Sequence, residues 1–85
     1  MVSFNYMVKD ELGIHARPAS LLVKMTSKLT SKVTICKGEK KGDAKKIFGI
    51  MALAVKCGDE VTITVEGENE AADAENIKKF FEENL

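Results

Sequence analysis

Residues 2–26 read VSFNYMVKDELGIHARPASLLVKMT, and the change of period inside this stretch decides the fold. Val2, Phe4, Tyr6 and Val8 alternate with Ser3, Asn5, Met7 and Lys9, which is the period of a strand with one apolar face. Asp10 to Ile14 contains Gly13 and reads as a loop. From Ala16 the period lengthens. Ala19, Leu22, Val23 and Thr26 recur as a buried helical stripe, with Leu21 and Met25 as a shorter second stripe, so a helix is predicted from Ala16 to Ser27. Pro18 fits only the first turn, where its missing N–H would have no intrahelical acceptor anyway. The helix therefore starts at Ala16, directly after His15.

Beyond this stretch the same two periods continue. Val33 and Ile35 mark a strand over Ser31–Lys37, Gly38 turns the chain, and Lys40–Ala44 reads as the hairpin partner. Ile47, Ile50, Met51 and Ala54 predict a short helix closed near Cys57-Gly58. Val61, Ile63 and Val65 alternate with threonines as a last strand. Ala74, Ile77 and Phe81 give a final helix over Glu70–Glu83, with Asn69 as its N-cap. Glu82 and Glu83 oppose the helix dipole, so the end of this helix is expected to fray. Strands with one apolar face, covered by helices, make a two-layer α+β sandwich whose other sheet face meets water.

A chain of 85 residues is expected to be one domain, 1–85, with a small core. That leaves little room for a deep cleft and favours a surface site serving a protein partner. Thirteen Lys and Arg balance thirteen Asp and Glu, and this neutrality argues against nucleic acid as the partner. The strands also lack the exposed aromatic platforms on which RNA bases stack. The charges are unevenly spread. Lys37, Lys40, Lys41, Lys45 and Lys46 crowd one stretch, and Glu66, Glu68, Glu70, Asp73 and Glu75 another. Solvated faces are the ordinary explanation of such runs, and a basic patch for an acidic partner is the functional one. Cys36, Cys57 and one histidine suggest neither a disulfide framework nor a metal site, and no cofactor is expected. The first ten residues do not read as a signal peptide, and no apolar run approaches the ~20 residues that span a bilayer. A cytoplasmic protein with no direct membrane contact is expected.

Chemistry concentrates at Gly13-Ile14-His15-Ala16-Arg17-Pro18-Ala19. His15 stands where a loop enters a helix, beside backbone N–H groups, those of Ala16 and Arg17, that have no intrahelical acceptor. A helix N-terminus favours anions, and Arg17 adds a charged planar fork that matches phosphate oxygens. Imidazole, with an unperturbed pKa of about 6.5, offers a neutral nucleophilic nitrogen near neutrality. Phosphoryl transfer needs positioning and stabilised negative charge, which is what this arrangement supplies. A lone histidine at a helix start is otherwise a surface or capping residue.

The chain resembles the HPr family, the histidine-containing phosphocarrier proteins of the bacterial sugar phosphotransferase system, over essentially its whole length. The resemblance rests on Gly13–Ala19, on Ala44-Lys45-Lys46-Ile47-Phe48-Gly49-Ile50-Met51-Ala52-Leu53, and on Gly58–Ile63 leading to Glu66–Glu70. It implies an open-faced sandwich, a four-stranded antiparallel sheet covered on one face by three helices in the order βαββαβα. It implies that phospho-enzyme I phosphorylates His15 at Nδ1, beside Arg17, and that an enzyme IIA then takes the group. The protein would then be a carrier and not an enzyme in the strict sense, and it is expected to be a monomer. The resemblance also implies a docking surface around the first two helices, taken here as Leu21, Lys24, Lys45, Lys46, Ile47, Phe48 and Met51.

Two positions depart from the family pattern. Leu12 stands where the family often has a small polar residue whose oxygen helps organise the site. Lys46 stands where Gram-positive members carry a regulatory serine, so no regulatory serine is present. Two other readings stay open. One keeps the His15 chemistry in a regulatory or specialised carrier of a nitrogen-related or dihydroxyacetone branch. The other is a small α+β module that binds a ligand or RNA without a covalent intermediate.

Overall fold

A computed structural model describes residues 1–85. The elements are β1 (Val2–Met7), α1 (Ala16–Thr26), β2 (Lys32–Lys37), β3 (Lys40–Asp43), α2 (Ile47–Met51), β4 (Glu60–Glu66) and α3 (Glu70–Asn84). The strands form one antiparallel sheet in the order β1-β4-β2-β3, and the three helices cover one face of it. This is the open-faced α+β sandwich expected from the sequence.

Register shows why the alternation matters. Val2 pairs with Val65 and Val65 with Val33, while Phe4 pairs with Ile63 and Ile63 with Ile35, so apolar rows cross the sheet beneath the helices. One residue along, Ser3, Thr64, Thr34 and Asp43 form a row facing away, as do Asn5, Thr62, Cys36 and Lys41. A slip by one residue would exchange the two faces, so burial fixes the register. Leu22 of α1, Ile50 of α2 and Ile77 and Phe81 of α3 complete the core from above. Fully burying one such side chain stabilises the fold by about 1.5–3 kcal/mol. Phe81 is the hub: its ring meets Tyr6 and Phe4 of β1 edge-on, at centroid distances of 5.4 and 6.5 Å.

Buried polar groups are paired. Ser31 donates to Asp73 Oδ2 at 2.6 Å, and Thr26 Oγ1 donates to the Ala44 carbonyl at 2.8 Å. The second bond ties the end of α1 to the segment leading into α2. Asp73 was counted among a solvated acidic run, but it is buried and anchors α3 to the start of β2.

Three expectations need correction. The predicted second helix stops at Met51 and does not reach Cys57-Gly58. Ala54, one of the residues whose spacing predicts that helix, lies beyond its end, is exposed and adopts φ +51, a left-handed closure that lets the following Val55 enter the core. Asn69 occupies the N-cap position of α3, but its side chain makes no cap bond. The end of α3 does not fray. Leu85 is buried, and its carbonyl accepts from the N–H groups of Lys9 and Asp10. Burying a leucine is worth about 1.5–3 kcal/mol, more than the 0.3–1 kcal/mol or so that a misplaced terminal charge costs.

The turn before β4 carries a charge-dependent tie. Asp59 Oδ2 accepts the Lys56 N–H at 2.9 Å and lies 3.0 Å from Lys37 Nζ, which also donates to the Ala54 carbonyl at 2.9 Å. The Lys56 hydrogen bond, and then Lys37, hold the Asp59 carboxyl below the usual carboxylate range. A depressed carboxyl contributes stability that is present above its unfolded pKa and is lost as pH falls through its folded value. Asp59→Asn is therefore expected to melt below the parent at about pH 7, and by less at a pH low enough to protonate Asp59. Equal melting at both would show the tie to be inert.

Candidate functional site

The loop from β1 to α1 is held by backbone bonds at almost every residue. Val8 donates to Asp59 and accepts from Gly58, Lys9 and Asp10 donate to Leu85, Gly13 donates to Asp10, and Ile14 donates to Val55 at 3.1 Å. Ile14 is buried. Gly13 makes this path possible. It sits at φ +68, and a Cβ there would lie 2.3 Å from the Val55 carbonyl oxygen. Gly42 plays a similar part for α2, since a Cβ on it would lie 2.4 Å from the Gly49 carbonyl oxygen.

The loop delivers His15 to the N-cap of α1 in an extended conformation, φ −103 and ψ −177. Its carbonyl accepts from Ala19 N–H, but its side chain makes no cap hydrogen bond. The capping explanation of this histidine therefore fails, and the ring is left 37% exposed. The amides of Ala16 and Arg17 donate to no acceptor, and Arg17 is exposed and takes part in no ion pair. An open depression of about 330 Å³ is lined by Asp10, His15, Arg17, Pro18, Leu21 and Asn84. A nucleophilic nitrogen, two free amides and a free guanidinium thus lie together at one helix end, with the means to bind and neutralise a phosphoryl group.

The other expected residues divide. Arg17, Leu21 and Lys24 follow one another at helical spacing and are all exposed, so they form one face of α1. On α2, which packs against α1, Phe48 is 84% exposed and Met51 40% exposed. Ile47 is half-buried against the core, and exposed Lys46 occupies the N-cap. Lys45 is different. Its Nζ donates to the Leu29 carbonyl at 2.8 Å, so its ammonium serves the fold.

Two residues at the depression were not anticipated. Asn84 arrives on the end of α3, through a tertiary contact that periodicity does not encode. Asp10 stands beside His15, with Oδ1 at 3.9 Å from Nε2, and the same oxygen accepts the Leu12 N–H at 2.9 Å. The signal for Asp10 was present in the sequence, since Asp opening a loop ahead of a glycine is a common Asx turn. Leu12 itself points into solvent, 71% exposed. No group of three or more His, Cys, Asp or Glu is placed to hold a metal, and no helix is long and apolar enough to cross a membrane.

Residues 2–83 match the family described as the PTS HPr component phosphorylation site. The chain is 42% identical to the phosphocarrier protein HPr of Mycoplasma capricolum, over 93% of this chain and 89% of the relative. A solved mycoplasma histidine-containing phosphocarrier protein superposes with a TM-score of 0.90 at 40% identity, covering 93% of this chain and 90% of that one. The crystal structure of Crh from Bacillus subtilis, a swapped dimer, gives a TM-score of 0.78 at 39% identity, covering 100% of this chain and 98% of that one.

Proposed function

Because the chain belongs to the HPr family of the phosphotransferase system, we propose that His15 accepts a phosphoryl group from phospho-enzyme I and passes it to a sugar-specific enzyme IIA. The observation that carries this reading is the placement of the chain's only histidine. It stands at the start of α1, half-exposed and unused as a cap, beside two free amides and a free guanidinium. In the transfer, Nδ1 attacks phosphorus, the donor's bond to phosphorus breaks, and its electron pair leaves with the donor. The amides of Ala16 and Arg17 and the Arg17 fork hold the phosphoryl oxygens in line. The chain is modified and must be discharged by a partner, so it acts as a carrier and needs no metal or cofactor for this step. Cytoplasmic work follows from the same reading.

The proposed docking face is the exposed row Arg17, Leu21 and Lys24 of α1, with Lys46, Phe48, Met51 and the edge of Ile47 from α2. Lys45, held by Leu29, is left out of it. Exposed apolar side chains beside a functional group suit a partner surface, and the lysines suit an acidic one. The working unit is proposed to be the monomer. A swapped dimer like that of Crh would show as doubled mass in light scattering at working concentration.

Incubation with phosphoenolpyruvate and enzyme I tests the reading. An acid-labile, alkali-stable phosphate on His15 supports it, and an unmodified chain rejects it. Discharge by enzymes IIA of different branches separates a sugar carrier from a nitrogen-related or dihydroxyacetone one, and similarity to Crh keeps a regulatory role in view. Lys46 adds a further expectation. No residue from Asp43 to Met51 has a hydroxyl, so a serine kinase labels nothing there. Reversing a steering charge with Lys46→Glu is expected to slow transfer roughly three- to tenfold at low salt. The effect should shrink near physiological ionic strength, where the Debye length is about 8 Å. Equal rates at low salt would end the steering role.

A further inference from the structure

We propose that Asp10 is the positioning residue of His15: it holds the proton on Nε2, keeps Nδ1 free to attack, and faces the positive charge of the phosphorylated ring. The inference rests on the reading of His15 as a phosphoryl carrier and adds a residue to it.

Placement is the first argument. Asp10 N–H donates to the Leu85 carbonyl at 2.9 Å, and the Asp10 carbonyl accepts from Gly13 N–H at 2.9 Å. Its Oδ1 accepts the Leu12 N–H at 2.9 Å. Backbone and carboxylate are thus fixed before any partner arrives. The carboxylate is aimed at one ring nitrogen, with Oδ1 3.9 Å from Nε2. At that separation the two are not hydrogen-bonded and the ring must move to close the gap, but such bonds are commonly long in the resting form of a site. The charged groups lining the depression are Asp10 from the loop and Arg17 from α1, while α3 contributes the uncharged Asn84. One acid and one base therefore divide the work: Arg17 serves the phosphoryl oxygens and Asp10 the ring.

Chemistry is the second argument. A carboxylate near Nε2 favours the tautomer in which Nε2 carries hydrogen and Nδ1 keeps its lone pair. When Nδ1 attacks phosphorus, the donor leaves with its electron pair and no proton leaves the ring. The ring then holds a phosphoryl group on Nδ1 and a proton on Nε2, and is positive. Asp10 faces that charge. When the next acceptor attacks phosphorus, the N–P electron pair returns to Nδ1 and the ring is again neutral with Nε2–H. Proton bookkeeping is thereby removed from both transfers.

The test uses the full chain, phosphorylated by enzyme I and phosphoenolpyruvate, with Asp10→Asn, Asp10→Glu and Asp10→Ala. Asn keeps a side-chain oxygen for the Leu12 N–H but loses the charge, whereas Ala loses both. Phosphorus NMR follows the pH at which the phosphorylated ring sheds its Nε2 proton. In Asp10→Asn this midpoint is expected to fall by roughly 0.2–0.7 pH unit, the range set by partly exposed ion pairs. Transfer to an enzyme IIA is expected to slow roughly two- to fivefold, with melting unchanged. Asp10→Glu is expected to restore part of the midpoint. An unchanged midpoint in Asp10→Asn overturns the proposal, as does a shift seen only in Asp10→Ala, which would assign Asp10 to the loop alone. Phosphate on all variants with no shift leaves the carrier reading standing and removes only this proposal. A parent chain that takes no phosphate removes both.

Discussion

His15→Ala is expected to take up no phosphoryl group from enzyme I while folding as the parent does. The argument for lost function is chemical. The chain has no second histidine, and neither free cysteine lines the depression. The argument for a preserved fold is structural. The ring makes no cap bond, has Nε2 3.9 Å from Asp10 Oδ1, and belongs to no part of the buried cluster. Substitutions of that kind are worth about 0.5 kcal/mol or less, which is at most about 4 °C in melting temperature for a chain this size. Mass spectrometry after phosphoenolpyruvate treatment and a thermal melt measure the two halves. Phosphate retained on the variant would move the chemistry away from His15.

Gly13→Ala is expected to have the opposite profile, damaging the fold first and transfer as a result. A non-glycine residue in the left-handed region costs about 1–2 kcal/mol. Here φ is +68 and the added Cβ also meets the Val55 carbonyl oxygen at 2.3 Å, a backbone atom that cannot swing aside. Overpacking of this kind adds about 1–3 kcal/mol, so a loss near 3 kcal/mol and a melting temperature lower by about 12 °C or more are expected. The Ile14–Val55 bond that sets the path into His15 must shift as well, and phosphoryl uptake should slow with it. Gly38→Ala is the internal control. Gly38 has φ +60 but nothing within 4 Å of an added Cβ, so it carries the conformational cost alone. If Gly13→Ala loses no more stability than Gly38→Ala, the close approach to Val55 is not what requires glycine.

What the sequence made legible follows a physical division. Alternation in Val2–Val8 and Val61–Val65, and the stripe Ala19, Leu22 and Thr26, report which side of an element is buried, and those residues lie where expected. Helix starts were legible too, because Pro18 and the placement of His15 are local signals. The end of α1 was legible to within one residue, but the close of α2 and the order at the end of α3 were not. Whether α2 continues past Met51 depends on Leu53 and Val55 finding the core, and whether α3 holds depends on Leu85 meeting Lys9 and Asp10. Both are contacts between distant residues. Within the site, His15 and Arg17 were visible as a local motif, whereas Asn84 joined through the tertiary fold. Lys45 and Asp73 show the same limit for charge. A charged residue reads as solvated until a partner such as the part-buried Leu29 carbonyl or the buried Ser31 hydroxyl appears beside it.

The strand order has a consequence for how the molecule forms. β4 lies between β1 and β2, so Val2 must find Val65 and Val33 must find the same residue from the other side. Most of the sheet waits for the last strand in the chain. Only the β2–β3 hairpin closes on near neighbours. Closing such long loops before the contacts that reward them places folding among the slower topologies for a small domain. During synthesis, β1 leaves the ribosome as an unpaired edge and stays so until β4 follows, while the hairpin is the one sheet element able to form early. Conditions that stall elongation between β3 and β4 would therefore expose Val2, Phe4 and Tyr6 together, and a chaperone would meet the nascent chain at this strand.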